Sequence, residues 1–129
     1  MKELYLITKE KTIAYIDITN NKNLDIEVKL FKKIFKEVCI FTKSNDFILN
    51  FENNINKFDL IIINEGNSEE LNNLILFVKE LKIEQKIIMC SAYNDVDFVN
   101  KLLRLGVNGY LNKPMVLEEI ERVLKHNLK

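Results

Sequence analysis

The run Phe58-Asp59-Leu60-Ile61-Ile62-Ile63 ends at Asn64, and that last position governs what chemistry the chain can do. Four apolar residues in a row, three of them β-branched, read as a strand buried on both faces, the habit of a central strand in a parallel sheet. In open parallel sheets the reactive groups stand just outside the carboxyl ends of the strands. A carboxylate at 64 would point to phosphate or metal chemistry; an amide points to much less. Other reactive residue types are sparse. Cys39 and Cys90 lie in strand-like apolar runs, where a cysteine behaves as a small hydrophobe. With the single histidine, His126, they make no zinc set, and a disulfide between them is not expected. Glu65 is the carboxylate next to Asn64, but neighbouring strand residues face opposite ways, so it does not stand in for one at 64. Thr19-Asn20-Asn21 offers donors to a phosphate, yet that loop lacks a glycine for close backbone approach.

Positioning these residues requires strands and helices in alternation. Thr12–Ile16 reads as a buried strand, followed by the polar loop Asp17–Asn21. From about Leu24 to Val38, apolar residues at 30, 31, 34, 35 and 38 give one helical stripe. Cys39–Thr42 is a short strand, and Ser44-Asn45-Asp46 supplies capping residues for a helix running through Ile55. After the strand at 59–63, Ser68-Glu69-Glu70 caps a helix whose stripe is Leu71, Leu74, Ile75, Val78 and Leu81. Lys86–Cys90 is a further strand ending at Ser91-Ala92. The helix Val96–Leu105 closes at Gly106, a natural residue for a left-handed position. Gly109–Leu111 is a strand, Lys113-Pro114 a turn, and Leu117, Ile120, Val123 and Leu124 mark a last helix. Residues 1–11 stand before this series as an N-terminal extension or extra strand, with 12–129 forming the domain. Strict β/α alternation implies parallel strands with right-handed crossovers. The expected fold class is α/β, a flavodoxin-like (βα)5 doubly wound sheet of five strands in order 2-1-3-4-5.

At 129 residues and 47% apolar content, the chain is of a size for one globular domain. Its 19 basic residues balance 19 acidic ones, so nothing draws it to nucleic acid or an anionic membrane. Lys29, Lys32, Lys33 and Lys36 cluster on one expected helix, but Glu27 and Glu37 are interleaved, which makes a solvated face. No apolar run is long enough to span a bilayer and no leader pattern opens the chain, so a cytoplasmic location is expected. Seventeen asparagines, scattered rather than clustered, are a compositional bias.

Three segments carry a resemblance. Phe58–Ile63 resembles the third strand of response-regulator receiver (CheY-like) domains of two-component signalling. Lys86-Ile87-Ile88-Met89-Cys90-Ser91-Ala92 resembles their fourth strand, which ends in Ser or Thr followed by Ala. Leu105-Gly106-Val107-Asn108-Gly109-Tyr110-Leu111-Asn112-Lys113-Pro114 is similar to the most specific segment of that family. The resemblance implies a phosphoacceptor position at Asn64, metal-ligand positions at Asp17 and Ile18, and phosphoryl contacts at Ser91 and Lys113. It also implies a switch aromatic at Tyr110 and a cis peptide before Pro114.

Two of these positions depart from the pattern. Asn64 lacks the anionic oxygen that attacks phosphorus, and Ile18 replaces a carboxylate that would hold magnesium. Magnesium prefers hard, charged oxygens, so Asp17 as the residual ligand is not expected to bind it tightly. In place of phosphoryl chemistry, Lys113 is expected to pair with Asp17, and Ser91 to hydrogen-bond Asn64. Three functions compete. The first is a degenerate receiver with no catalytic residue, acting without phosphorylation through protein contact or homodimerisation. Its contact face would be the fourth helix, fifth strand and fifth helix, roughly Asp95–Leu105, Gly109–Leu111 and Leu117–Leu128. The second is a working phospho-receiver in a phosphorelay using another acceptor. The third is a flavin or nucleotide binder.

Overall fold

The computed structural model describes residues 2–18, 25–64, 69–92 and 95–129. Its elements are α1 (Lys2–Thr8), β1 (Thr12–Ile16), α2 (Asp25–Ile34), β2 (Glu37–Phe41), α3 (Ser44–Asn53), β3 (Leu60–Asn64), α4 (Glu69–Leu81), β4 (Ile87–Ser91), α5 (Val96–Leu105), β5 (Gly109–Asn112) and α6 (Leu117–Leu128). The five strands are all parallel and lie in the order β2-β1-β3-β4-β5. This is the doubly wound α/β sheet that the alternation predicts.

β3 and β4 are buried at every residue because helices cover both faces of the sheet. Alternate side chains feed two cores. Ile13, Tyr15, Leu60 and Ile62 join Val28, Phe31 and Leu124 on one face. Ala14, Ile16, Ile61 and Ile63 join Phe47, Phe51, Leu74 and Leu102 on the other. Asp59, just before β3, clips that strand to β1: its N–H donates to Thr12 O and its Oδ2 accepts from Thr12 N–H, both at 2.8 Å.

Several sequence-based expectations give way to tertiary packing. Residues 2–8 form a helix, not an extra strand. Leu4 and Thr8, one turn apart, are fully buried, and the Thr8 hydroxyl donates to Ile34 O at 2.8 Å. A short run such as Leu-Tyr-Leu-Ile carries no decisive periodicity, so the surface of α2 and α6 it packs on sets its form. The helical stripe expected to reach Val38 stops at Ile34. Lys36 N–H donates to Lys11 O, which draws the chain into β2, where Val38 pairs with Ile13. α3 ends at Asn53 rather than Ile55. Its N-cap is Lys43, with no side-chain cap bond, and Ser44 is the first helical residue. Leu81, expected in the buried stripe of α4, is 42% exposed because the helix ends there. The expected cap at Ser68 lies outside the described residues.

Gly106 does close α5, at φ 110°. Gly109 is required for a different reason, close approach. A Cβ there would stand 3.0 Å from Val123 Cγ1 and 3.2 Å from Asn127 Nδ2. Asn127 cannot swing aside freely, since its amide donates to Val123 O at 2.8 Å in a buried setting. Gly109→Ala should therefore push α6 off the sheet and cost about 1–3 kcal/mol, read as a lower urea midpoint at unchanged slope.

At the amino-terminal end of the sheet, Lys79 Nζ donates to Gln85 O (2.5 Å), Ile83 O (3.3 Å) and Asn108 Oδ1 (3.3 Å). Asn108 Oδ1 also accepts from Ile87 N–H at 2.9 Å. Burial, with the charge of Lys86 adding to it, holds Lys79 below the usual lysine range. This knot ties α4 to the starts of β4 and β5, at the end of the sheet away from Asn64.

Candidate functional site

The strand register brings the carboxyl ends of four strands together. Ile63 pairs with Ile16, Asn64 with Cys90, and Ser91 with Asn112. Asp17 follows β1, Asn64 ends β3, Ser91 ends β4 and Lys113 follows β5. The first three are 1%, 2% and 3% exposed, so this is a nearly dry polar cluster over an apolar sheet. The Asn64 amide donates from Nδ2 to Asp17 Oδ2 at 3.2 Å. A carboxylate only accepts, so this bond sets which way the amide points. Asn64 Oδ1 is consequently turned away, buried and without a hydrogen-bond partner among the described residues.

Asp17 is held by its backbone as well: its N–H donates to Phe41 O at 2.8 Å. Ile18, next to it, packs against the apolar cluster on the α3/α4 side. The Lys113 backbone N–H donates to Ser91 O at 3.0 Å, and the Lys113–Pro114 peptide is cis. Tyr110 is half-buried against the α3/α4/α5 core and borders a groove of about 350 Å³ with Val96, Val99, Asn112, Glu119 and Arg122. Thr19-Asn20-Asn21 and Glu65 lie outside the described residues.

Sequence reasoning missed two parts of this arrangement. It assigned Asn64 to Ser91, whereas the bond in place runs to Asp17. It also passed over Glu119, in the first turn of α6. Glu119 Oε1 accepts from Asn112 N–H at 2.7 Å and Oε2 from the Asn112 amide at 3.4 Å, fastening the turn that carries Lys113. An acid in a helix's first turn is a visible signal, but it reads as a dipole or capping residue with no long-range target.

Burial pushes the Cys90 thiol far above its ordinary range, with the positive charge of Lys113 opposing the shift. At Cys39, burial and a hydrogen bond donated to Glu37 Oε1 (3.0 Å) push the thiol up to about 11. Only the thiolate is nucleophilic, so at pH ~8 iodoacetamide should alkylate Cys39 roughly 100-fold more slowly than an ordinary cysteine, and Cys90 only after unfolding. Intact mass against time, with and without denaturant, measures both.

No family profile matches the chain. Its sequence is 33% identical over 73 residues to the two-component response regulator ARR10 of Arabidopsis thaliana, covering 57% of this chain and 13% of that protein. It is 30% identical over 100 residues to the two-component response regulator-like APRR4 of the same plant, covering 76% of this chain and 34% of that one. Among solved structures, a response regulator receiver domain protein from Clostridium thermocellum superposes with a TM-score of 0.74 at 17% identity, covering 92% of this chain and 94% of that one. The chain is a CheY-like response-regulator receiver domain. The receiver domain spans only 13–34% of the length of these curated relatives.

Within the receiver domain, Asn64 and Ile18 occupy the two positions where the resemblance calls for carboxylates. Among the described residues, no three His, Cys, Asp or Glu side chains converge as a metal site, and no helix is long and apolar enough to cross a membrane.

Proposed function

We propose that this receiver domain signals without accepting a phosphoryl group, through protein–protein contact at the face built from α5, β5 and α6. The observation that carries the reading is the 3.2 Å bond from the Asn64 amide to Asp17. An amide nitrogen there offers no lone pair for attack on phosphorus, and it engages an oxygen that a metal ion would need. The donor set does not fit magnesium, because an apolar Ile18 and a neutral Asn64 flank the one carboxylate, Asp17. In this reading no metal or other cofactor is required. Lys113 pairs with Asp17 and the Asn64 amide bonds the same carboxylate, so the site becomes a structural polar core.

The contact face is supported by its exposure. On α5, Val96 and Leu103 are 69% and 49% exposed, and they sit with Val99 and Asn100 at i, i+3, i+4 and i+7 on one helical stripe. Val116 and Leu117 are exposed at the start of α6, across the groove. Clustered apolar residues of this kind mark a surface that meets another protein.

Incubation with acetyl phosphate and magnesium, followed by intact mass, tests the proposal. An unchanged mass is expected. A stable increment of one phosphoryl group would establish the competing reading, a phosphorelay receiver with a different acceptor.

A further inference from the structure

We infer that the groove between α3 and α4 binds a small zwitterion with an apolar body, the class to which short apolar peptides with free termini belong. The groove shares no lining residue with the one beside Tyr110, so the inference does not rest on the α5–β5–α6 contact face.

The groove has a volume of about 790 Å³, within the range of about 300–1,000 Å³ found for small-ligand sites. It opens at the carboxyl end of the sheet, where Ile18 follows β1 and Thr42 follows β2. Its floor is apolar: Ile18, Ile48, Leu74 and Phe77 line it and belong to the core on the α3/α4 side. Ile18 stands where the resemblance calls for a carboxylate. The residue that unfits the polar cluster for magnesium thus also keeps this floor free of charge. Phe77 offers a half-buried ring on which an aromatic side chain can pack.

The two walls carry opposite charges. Lys43 lies on the α3 side, Glu69 and Glu70 on the α4 side, and all three are exposed. Among the described residues none of the three takes part in an ion pair, so both signs are available to a ligand. The α3 side offers further donors. Lys43 is the N-cap of α3 and no side-chain bond caps the helix, which leaves first-turn N–H groups without an acceptor among the described residues. Ser44 Oγ, in the same wall, is buried without a hydrogen-bond partner among the described residues. An anionic group is therefore favoured beside Lys43, and a cationic one beside Glu69 and Glu70. A ligand of a single sign meets attraction at one wall and repulsion at the other. A zwitterion satisfies both, and an apolar body between its charged ends covers the floor.

The probe is the dipeptide leucylphenylalanine, with N-acetyl-leucylphenylalanine as its anion-only form and leucylphenylalanine amide as its cation-only form. Amide chemical shifts of the full chain, followed near neutral pH at low salt, should show saturable binding of the dipeptide centred on Ile18, Ile48, Asn73 and Phe77. Each capped form should bind about fivefold more weakly, the loss of one partly exposed charge pair. Glu69→Gln/Glu70→Gln should weaken the dipeptide about fivefold without weakening the acetylated form. Lys43→Gln should do the converse, weakening the dipeptide and sparing the amide form. Ile18→Asn should weaken all three together, because it places an unpartnered polar group in the floor. Equal affinity of the three forms overturns the inference. So does the absence of saturable shifts at millimolar dipeptide, or shifts confined to the α5–β5–α6 face.

Discussion

Asn64→Asp is expected to destabilise the domain by about 3 kcal/mol near neutral pH, because it adds a second buried carboxylate to a pocket whose one proposed cation, Lys113, is already paired with Asp17. The substitution is isosteric, so neither a cavity nor overpacking contributes. What changes is one interaction. In the parent, an amide N–H points at the Asp17 carboxylate across 3.2 Å, at residues only 1% and 2% exposed. In the variant, two carboxylates face each other at that distance with little water between them. The urea midpoint should fall at unchanged slope, and magnesium should restore part of the loss in the variant while leaving the parent unmoved. Adding Ile18→Asp should strengthen the magnesium response by completing the hard-oxygen set. Equal stability of Asn64→Asp and parent in metal-free buffer would mean that other groups absorb the new charge, and the account of a degenerate polar core would fail.

Phe47→Ala should cost a similar amount, about 3–5 kcal/mol, for a wholly different reason. Phe47 is fully buried and lies at the centre of an aromatic cluster. It stacks with Phe51 (5.5 Å) and Phe58 (6.2 Å) and meets Phe41 edge-on at 5.4 Å. These contacts hold α3 to the sheet between β2 and β3. Truncation loses burial, leaves a cavity that three rings cannot close, and removes the ring–ring terms. For a domain of ordinary stability this is a large fraction of the total. Chemical denaturation should show it, and hydrogen exchange should locate the loosened amides in α3 and β2. A loss below about 1 kcal/mol would show that the cluster collapses around the gap.

Legibility from sequence tracked how much of each element's fate was local. β3 and β4 are continuous apolar runs because helices cover both faces, and such runs are visible without coordinates. The end of α5 was legible for the same kind of reason: Gly106 adopts φ 110°, a conformation that glycine alone accepts without strain. Residues 2–8 were not legible, since a short apolar run fits helix and strand alike until Leu4 and Thr8 find the surface of α2 and α6. Val38 misled because it fits a helical stripe by spacing, while its pairing with Ile13 is a contact between distant segments. Ser44 looked like a cap, but the cap position belongs to Lys43 and no side chain bonds there.

The sequence by itself determined the class of fold and the chemical identity of the groups at the strand ends: Asp17 beside Ile18, Asn64 where a carboxylate was to be expected, then Ser91 and Lys113. The placement of polar residues at strand ends follows from alternation and burial, which act locally. Only the tertiary structure decided how those groups are joined. The Asn64 amide bonds Asp17, 47 positions away, rather than Ser91. Which donor meets which acceptor across a sheet depends on register and side-chain direction, and neither is encoded within any short window. The same holds for β2. Its sequence announces a strand, but that it stands at the edge of the sheet beside β1 follows solely from pairing between distant segments.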